Sequence, residues 1–291
     1  MSELIMPVSA IHYRFQNTPV NIPMDVTKQD RLGNVLAMLV TNEHINSQLI
    51  NEVSTSSTPP NGYIVGVGAG TVFRLIDLFP AGQTPRGIIC TDIVPEVVLV
   101  GRALEYNIKK CNTMEEAVKG ICGFDSIPTY YAVIRDEKNP IVRRRMISAI
   151  PYVVEWMKEH SIFSRLQDSR NSPGEVLRTI KRHFNLIKSL ALEGKINFAY
   201  TSFIDPDWIS YVKKLPDWDS LQNIVYISNI IDHITQRGTH MDSIPAVNTA
   251  LSLFQGNDEY ANWYVDTQEH SMNYQLRVRQ QPPVYSGSDF I

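Results

Sequence analysis

A glycine-rich stretch near position 66 has the residue types of a turn that binds a nucleoside or a phosphate. The apolar run Tyr63–Val65 leads into Gly66, Gly68 and Gly70, which stand at alternate positions before Thr71. A short buried strand that ends in glycines and opens into a helix brings backbone N–H groups to a ligand. Because glycine tolerates positive φ, we expect Gly66 and Gly68 to turn the chain sharply.

An acidic residue follows at the end of the next apolar run. We predict a helix over 71–79, then a second buried strand over 87–92 that ends in Asp92. The next helix is predicted over 94–106, with Pro95 in its first turn. Strand, glycine turn, helix, strand and acid together predict one βαβ unit.

The composition is that of an ordinary globular protein. The chain has 291 residues, of which 43% are hydrophobic and 20% charged. Its net charge of −3 argues against a protein dedicated to nucleic-acid backbones. The three cysteines lack CxxC spacing and the histidines lack metal-ligand spacing, so neither a disulfide frame nor a metal site is predicted. No apolar run approaches the ~18 residues of a membrane span, and we expect a cytoplasmic location.

The chain is predicted to have two parts. Residues 1–60 form an N-terminal helical segment, with one or two helices over 27–53. Residues 61–291 form an α/β domain that a helical insertion interrupts at about 109–192. Between positions 130 and 195 there are 13 Lys and Arg against 7 Asp and Glu. The common interpretation of such charges is a solvated helical face; the functional one is a docking surface for an anionic partner or substrate.

The α/β alternation resumes after the insertion. A strand is predicted over 195–203 and another over 223–229, with helices after each of them, at 208–215 and 243–254. Two further strand-like runs, 262–268 and 272–280, predict an antiparallel hairpin.

This order of motifs resembles the class I S-adenosylmethionine-dependent methyltransferase superfamily. The family's first motif, an apolar strand followed by GxGxG, is matched by Val65–Gly70, and its second, an acid that ends the next strand, by Asp92. The resemblance covers roughly 60–107 and 195–281. It implies a Rossmann-like, mostly parallel seven-stranded sheet with helices on both faces, closed by a C-terminal antiparallel hairpin.

A nicotinamide or flavin dehydrogenase is the main alternative, because it shares the βαβ unit and the acid. Its GxGxxG fingerprint needs glycine at position 71, where this chain has Thr71. The terminal hairpin is also characteristic of the methyltransferase sheet. Both observations favour the methyltransferase family.

The resemblance implies a set of residues that bind S-adenosylmethionine. Asp92 would accept hydrogen bonds from both ribose hydroxyls, since two carboxylate oxygens are natural acceptors. Ser202 and Phe203 would flank the adenine, although ordinary loop polarity also explains them. The full set of cofactor-binding residues comprises Gly66, Gly68, Gly70, Thr71, Asp92, Ile93, Ser202, Phe203 and Ser228.

The end of the 223–229 strand is expected to face the acceptor. Asn229 lacks the Pro-Pro pair that many amino-methylating relatives carry, so N-methylation of a base or amide is not supported. Asp232 and His233 could remove a proton from the acceptor as general bases. Alternatively, Asn229 and Asp232 cap the next helix and His233 is a surface residue.

The predicted function is therefore an S-adenosylmethionine-dependent transferase, a methyltransferase, that acts on an unidentified acceptor. The Ser228–Ile230 stretch also resembles enzymes that transfer the cofactor's 3-amino-3-carboxypropyl group. A third hypothesis is a catalytically inactive module whose working surface is the basic insertion. An anionic acceptor is compatible with that insertion, whereas nucleic acid is not favoured.

Overall fold

The chain is α/β in the computed structural model, which contains helices and a parallel sheet of five strands. This confirms the predicted α/β class and its parallel sheet. The structure describes residues 43–44, 47–68, 70–159, 178–227, 244–255, 262–270, 273–280 and 284. No helix among these residues is both long and apolar enough to cross a membrane.

The elements of the described residues alternate as the sequence predicts. The strands are β1 Glu43–His44, β2 Ile64–Val67, β3 Ile88–Asp92, β4 Ile196–Tyr200, β5 Ile224–Tyr226, β6 Trp263–His270 and β7 Asn273–Arg279. The helices are α1 Ser47–Ser54, α2 Thr71–Arg74, α3 Pro95–Lys110, α4 Met114–Lys119, α5 Ile127–Ile134, α6 Pro140–Glu159, α7 Phe184–Leu192, α8 Pro206–Val212 and α9 Ile244–Leu253.

The helix predicted over 71–79 is shorter and tighter than expected. After α2, the chain continues as a 3₁₀ turn over Leu75–Leu78. In a 3₁₀ turn, side chains three positions apart lie on the same side. Leu75 and Leu78 are three apart and both fully buried, so the tighter turn places both in the core.

The chain divides into two compact units that interleave along the sequence. The described parts of unit 1 fall within Gly68–Arg74 and Ile88–Ser202, and those of unit 2 within Asn42–Val67, Leu75–Gly87 and Phe203–Ile291. The predicted boundary between residues 60 and 61 stays a prediction. Within the predicted insertion, the described chain is helical, in α4 to α7.

Helix α3 is the centre of unit 1. It contacts β3, β4 and each of the helices α4 to α7, and it is buried along most of its length. Gly101 of α3 allows β4 to approach closely, since a Cβ there would lie 2.4 Å from Cδ1 of Phe198.

A buried ion pair joins α3 to the segment before α6. Arg102 donates from Nε to the Phe198 carbonyl of β4 and from its guanidinium to Oε2 of Glu137, both at 3.0 Å. Glu137 Oε1 accepts from the backbone N–H of Asn139, whose side-chain oxygen accepts from Ile141 N–H at 3.0 Å. The ion pair and this cap therefore fix where α6 begins relative to β4.

In unit 2, β5 pairs in parallel with β2 and with β6, and β7 pairs antiparallel with β6. Buried amide side chains join the strand starts. Asn223 accepts from the Tyr63 N–H at 2.9 Å and donates to the Asn262 side-chain oxygen at 2.9 Å. These bonds satisfy polar groups that would be costly to bury unpaired, and they set the register of β2, β5 and β6.

Candidate functional site

Gly66 lies inside β2 in unit 2, where it packs closely against the neighbouring strand. A Cβ at this position would lie 2.7 Å from Cβ and 2.8 Å from the carbonyl oxygen of Tyr226, on the neighbouring strand β5. The expectation of positive φ at Gly66 is wrong, because the residue belongs to an extended strand. Gly68 does have positive φ, at 77°, which confirms the prediction there.

This close approach makes Gly66→Ala a strongly destabilising change. Overpacking against backbone costs typically about 1 to 3 kcal/mol, and we expect the upper end in urea unfolding because neither strand can move aside. Gly82→Ala is the matched control, since a Cβ there meets nothing within 4 Å and only its φ of 84° is strained. Equal losses for the two variants would contradict the packing role.

The glycine turn and the acid meet in unit 1. The carboxylate of Asp92, the last residue of β3, accepts a hydrogen bond from Val94 N–H at 2.9 Å. The backbone N–H groups of Gly68 and Ile93 also lie near this carboxylate and lower its pKa. The residue that follows β2 and the acid that ends β3 are therefore close neighbours in unit 1.

Asp92 is an unusual carboxylate for a half-buried position. Its pKa is raised to about 7, chiefly by burial; the three backbone N–H groups oppose the shift, and the nearby carboxylate of Glu96 adds to it. A group with a pKa near neutrality is a common mark of a functional site. Protonation of Asp92 therefore changes within the physiological pH range.

The carboxyl end of the neighbouring strand, β4, lies beside Asp92. Tyr200 pairs with Asp92 in the β3–β4 register, which places the two side chains on one face of the sheet. Thr91 donates its hydroxyl to the Thr201 carbonyl at 2.6 Å, which ties the two strand ends together. Ser202 follows and is half-buried.

Arg145 is a site neighbour that sequence reasoning missed. Its guanidinium donates to the Tyr200 hydroxyl at 2.9 Å, whereas Arg143 and Arg144 are exposed. Burial raises the pKa of Tyr200, and the hydrogen bond from Arg145 opposes that rise. The signal was present in the helical period, because Arg145 stands among the buried positions Val142, Met146 and Ala149 of α6.

The contact between Arg145 and Tyr200 is testable by a double-mutant cycle. A hydrogen bond to a charged group contributes about 1.5 to 3 kcal/mol, so Arg145→Gln and Tyr200→Phe should show a coupling energy of about 1 to 2 kcal/mol in unfolding experiments. Arg144→Gln on the exposed face of the same helix should show none with Tyr200→Phe. A coupling energy near zero for Arg145 would rule the contact out.

The remaining predicted residues are placed differently. Ile93 is 40% exposed beside Asp92. Gly70 is buried in the turn, and the backbone of Thr71 begins α2. Phe203, in unit 2, has its ring centroid 5.4 Å from those of both Trp208 and Phe254, and its side chain is buried. Four predicted residues lie outside the described chain: Ser228, Asn229, Asp232 and His233.

Comparison with known proteins adds no family assignment. The chain matches no protein-family model, and no curated protein matches it. In the part of the chain that the structure describes, no three His, Cys, Asp or Glu side chains are grouped to hold a metal ion.

Proposed function

We propose that the chain is an S-adenosylmethionine-dependent transferase, in the first instance a methyltransferase. The observation that carries this proposal is the nearness of the Gly68 backbone N–H, in the glycine turn, to the carboxylate of Asp92, whose pKa it lowers. A backbone turn held against a carboxylate at the carboxyl end of parallel strands suits an adenosine ligand. The exposed Ile93 beside it offers an apolar surface for a base.

The residues of unit 1 fit the roles that such a cofactor requires. Gly68 and Gly70 would give backbone access, Asp92 would accept hydrogen bonds from the ribose hydroxyls, and Ile93 and Ser202 would border the base. Bound S-adenosylmethionine supplies an activated methyl group, so the protein's part is to align the acceptor and exclude water. Gly66, Thr71, Phe203 and Ser228 remain proposed members of the site.

The same proposal includes the complete sheet topology and the residues that would bind the acceptor. A seven-stranded sheet closed by the β6–β7 hairpin would be the family's sheet. Asn229, Asp232 and His233 would orient the acceptor or remove its proton. A cytoplasmic location and an anionic acceptor complete the proposal.

Calorimetric titration tests the cofactor directly. We expect S-adenosylmethionine and S-adenosylhomocysteine both to bind the full chain with one-to-one stoichiometry, and NAD not to bind. Because the fingerprint glycine of dinucleotide sites is Thr71 here, binding of NAD alone would assign the chain to a different class and end the proposal.

Transfer of the 3-amino-3-carboxypropyl group is the second candidate, favoured by the Ser228–Ile230 stretch. Cofactor labelled in the methyl carbon or in the carboxyl carbon separates the two reactions. A cell extract incubated with the protein should acquire the methyl label if the chain is a methyltransferase. Acquisition of the carboxyl label alone would identify the other transferase.

A catalytically inactive binding module is the third candidate, because Asn229 lacks the proline pair. In that case Asp92→Ala would lose the cofactor and keep the full biological effect. Loss of the effect together with the cofactor would favour the enzyme.

A further inference from the structure

An apolar groove lies in the helical part of unit 1, and its lining residues are not among those of the proposed cofactor site. Its volume is about 600 Å³, and its walls come from α5, the short turn before α5, and α6. Three of its large side chains are unusually exposed: Phe124 at 63%, Tyr131 at 52% and Ile147 at 39%. Large apolar side chains exposed together mark an interaction surface.

Cations stand at both ends of this groove. On α6, Ile147 and Pro151 lie on one face, with the exposed Arg143 and Arg144 about one turn before them and the exposed Lys158 about two turns after Pro151. Lys158 Nζ lies 5.1 Å from the ring centroid of Phe124. At 1.5 Å per residue, Arg144 and Lys158 are about 21 Å apart along the helix.

Acidic side chains also lie at the groove, but there are fewer of them than of cations. Glu155 is the acid among its lining residues, and Asp125 stands beside Phe124 in the exposed turn. Three exposed cations, against the two acids, flank a centre that is lined mostly by aromatic and aliphatic side chains. This is the composition of a surface that lies in the interface of an anionic bilayer.

We propose that this groove, the α5–α6 groove, docks the protein onto an anionic lipid membrane. Phe124 and Tyr131 enter the headgroup region, and Arg143, Arg144 and Lys158 contact lipid phosphates and carboxylates. A bilayer accepts exposed apolar side chains at any spacing. A protein partner would have to present acids about 21 Å apart on either side of an apolar ridge. The proposal goes beyond the transferase function and does not depend on it.

Sedimentation with lipid vesicles, in the absence of any nucleoside, tests the proposal on the full chain. We expect the protein to sediment with phosphatidylcholine vesicles that contain phosphatidylserine, and not with phosphatidylcholine alone. Because surface charges are screened, sedimentation should fall as salt is raised. Each cation near such a surface contributes about five-fold in affinity, so Arg143→Gln with Arg144→Gln should weaken binding about 25-fold.

The apolar contribution has its own variants and control. Phe124→Ser with Tyr131→Ser should weaken vesicle binding at least about ten-fold, since two buried rings are lost from the interface. Leu192→Ser in α7, at a side chain that is also 63% exposed, should bind like the wild type. Unfolding midpoints measured for each variant separate loss of docking from loss of fold.

Three results would overturn the proposal. They are absence of sedimentation with anionic vesicles, equal sedimentation of the wild type and both double variants, and binding of a soluble acidic helical peptide to the groove without any vesicle binding. The last result would assign the groove to a protein partner.

Discussion

The substitution Asp92→Asn is expected to remove most of the affinity for the nucleoside cofactor. A hydroxyl that donates to an ionised carboxylate gains about 1.5 to 3 kcal/mol, and the amide offers only one neutral acceptor oxygen. We therefore expect Asp92→Asn to weaken S-adenosylhomocysteine binding about 10- to 100-fold in calorimetry. Asp125→Asn, at an exposed carboxylate of the same unit, should leave the affinity unchanged.

The same variant should increase stability at high pH. The pKa of Asp92 in the folded chain is about 7, against an ordinary value of 3.8. Between these values the folded chain holds a proton that the unfolded chain releases, so stability falls as the pH rises and the full loss is present above about pH 7. Asp92→Asn escapes this loss, and its free energy of unfolding should exceed the wild type's by about 2 to 3 kcal/mol at pH 8.

The gain must fall in acid: most of it is lost by pH 4, and it disappears below the ordinary value of 3.8, where Asp92 is neutral in both states. Urea unfolding at pH 8 and pH 4 measures it, and cofactor titrations across pH 6 to 8 should show wild-type affinity rising as Asp92 ionises. A variant that is less stable than the wild type at pH 8, or an affinity that is flat across this range, would contradict the assigned environment of Asp92.

Breaking the buried ion pair of unit 1 is the second large effect. Arg102 and Glu137 have side chains only 9% and 5% exposed, with 3.0 Å between their charged atoms. Arg102→Met leaves the Glu137 carboxylate buried without its cation, and losing one partner of a buried pair costs about 3 to 5 kcal/mol of unfolding free energy. The loss should be larger in urea unfolding than for any surface charge of the unit.

A solvent-exposed ion pair directly before Glu137 in the sequence supplies the control. Arg135 and Asp136 form an ion pair whose side chains are 77% and 84% exposed. Arg135→Met should cost less than about 1 kcal/mol, because solvent screens the pair. Replacing both Arg102 and Glu137 by methionine should recover more than half of the loss. Equal costs for Arg102→Met and Arg135→Met would show that burial of the pair does not matter.

The sequence predicted the parts of the fold that depend on local pattern. The strands that end in Val67 and Asp92 were predictable because short apolar runs adjoin glycines and an acid. Helix α3 was predicted over 94–106 and continues to Lys110, where two lysines in its last turn favour the longer helix.

What the sequence could not predict depends on contacts between distant positions. The need for glycine at Gly66 comes from Tyr226, 160 positions away. Arg145 was one of three adjacent arginines, and only the packing of α6 selects it to meet Tyr200. In both cases the residue type was visible, but its partner was fixed by tertiary packing.

A crystal structure of the full chain with S-adenosylhomocysteine tests the central claim most directly. We expect the ribose hydroxyls of the ligand to lie within hydrogen-bonding distance of the Asp92 carboxylate, with the backbone of Gly68 and Gly70 facing the ligand. A ligand bound elsewhere on the chain, with Asp92 still held only by Gly68, Ile93 and Val94, would contradict it.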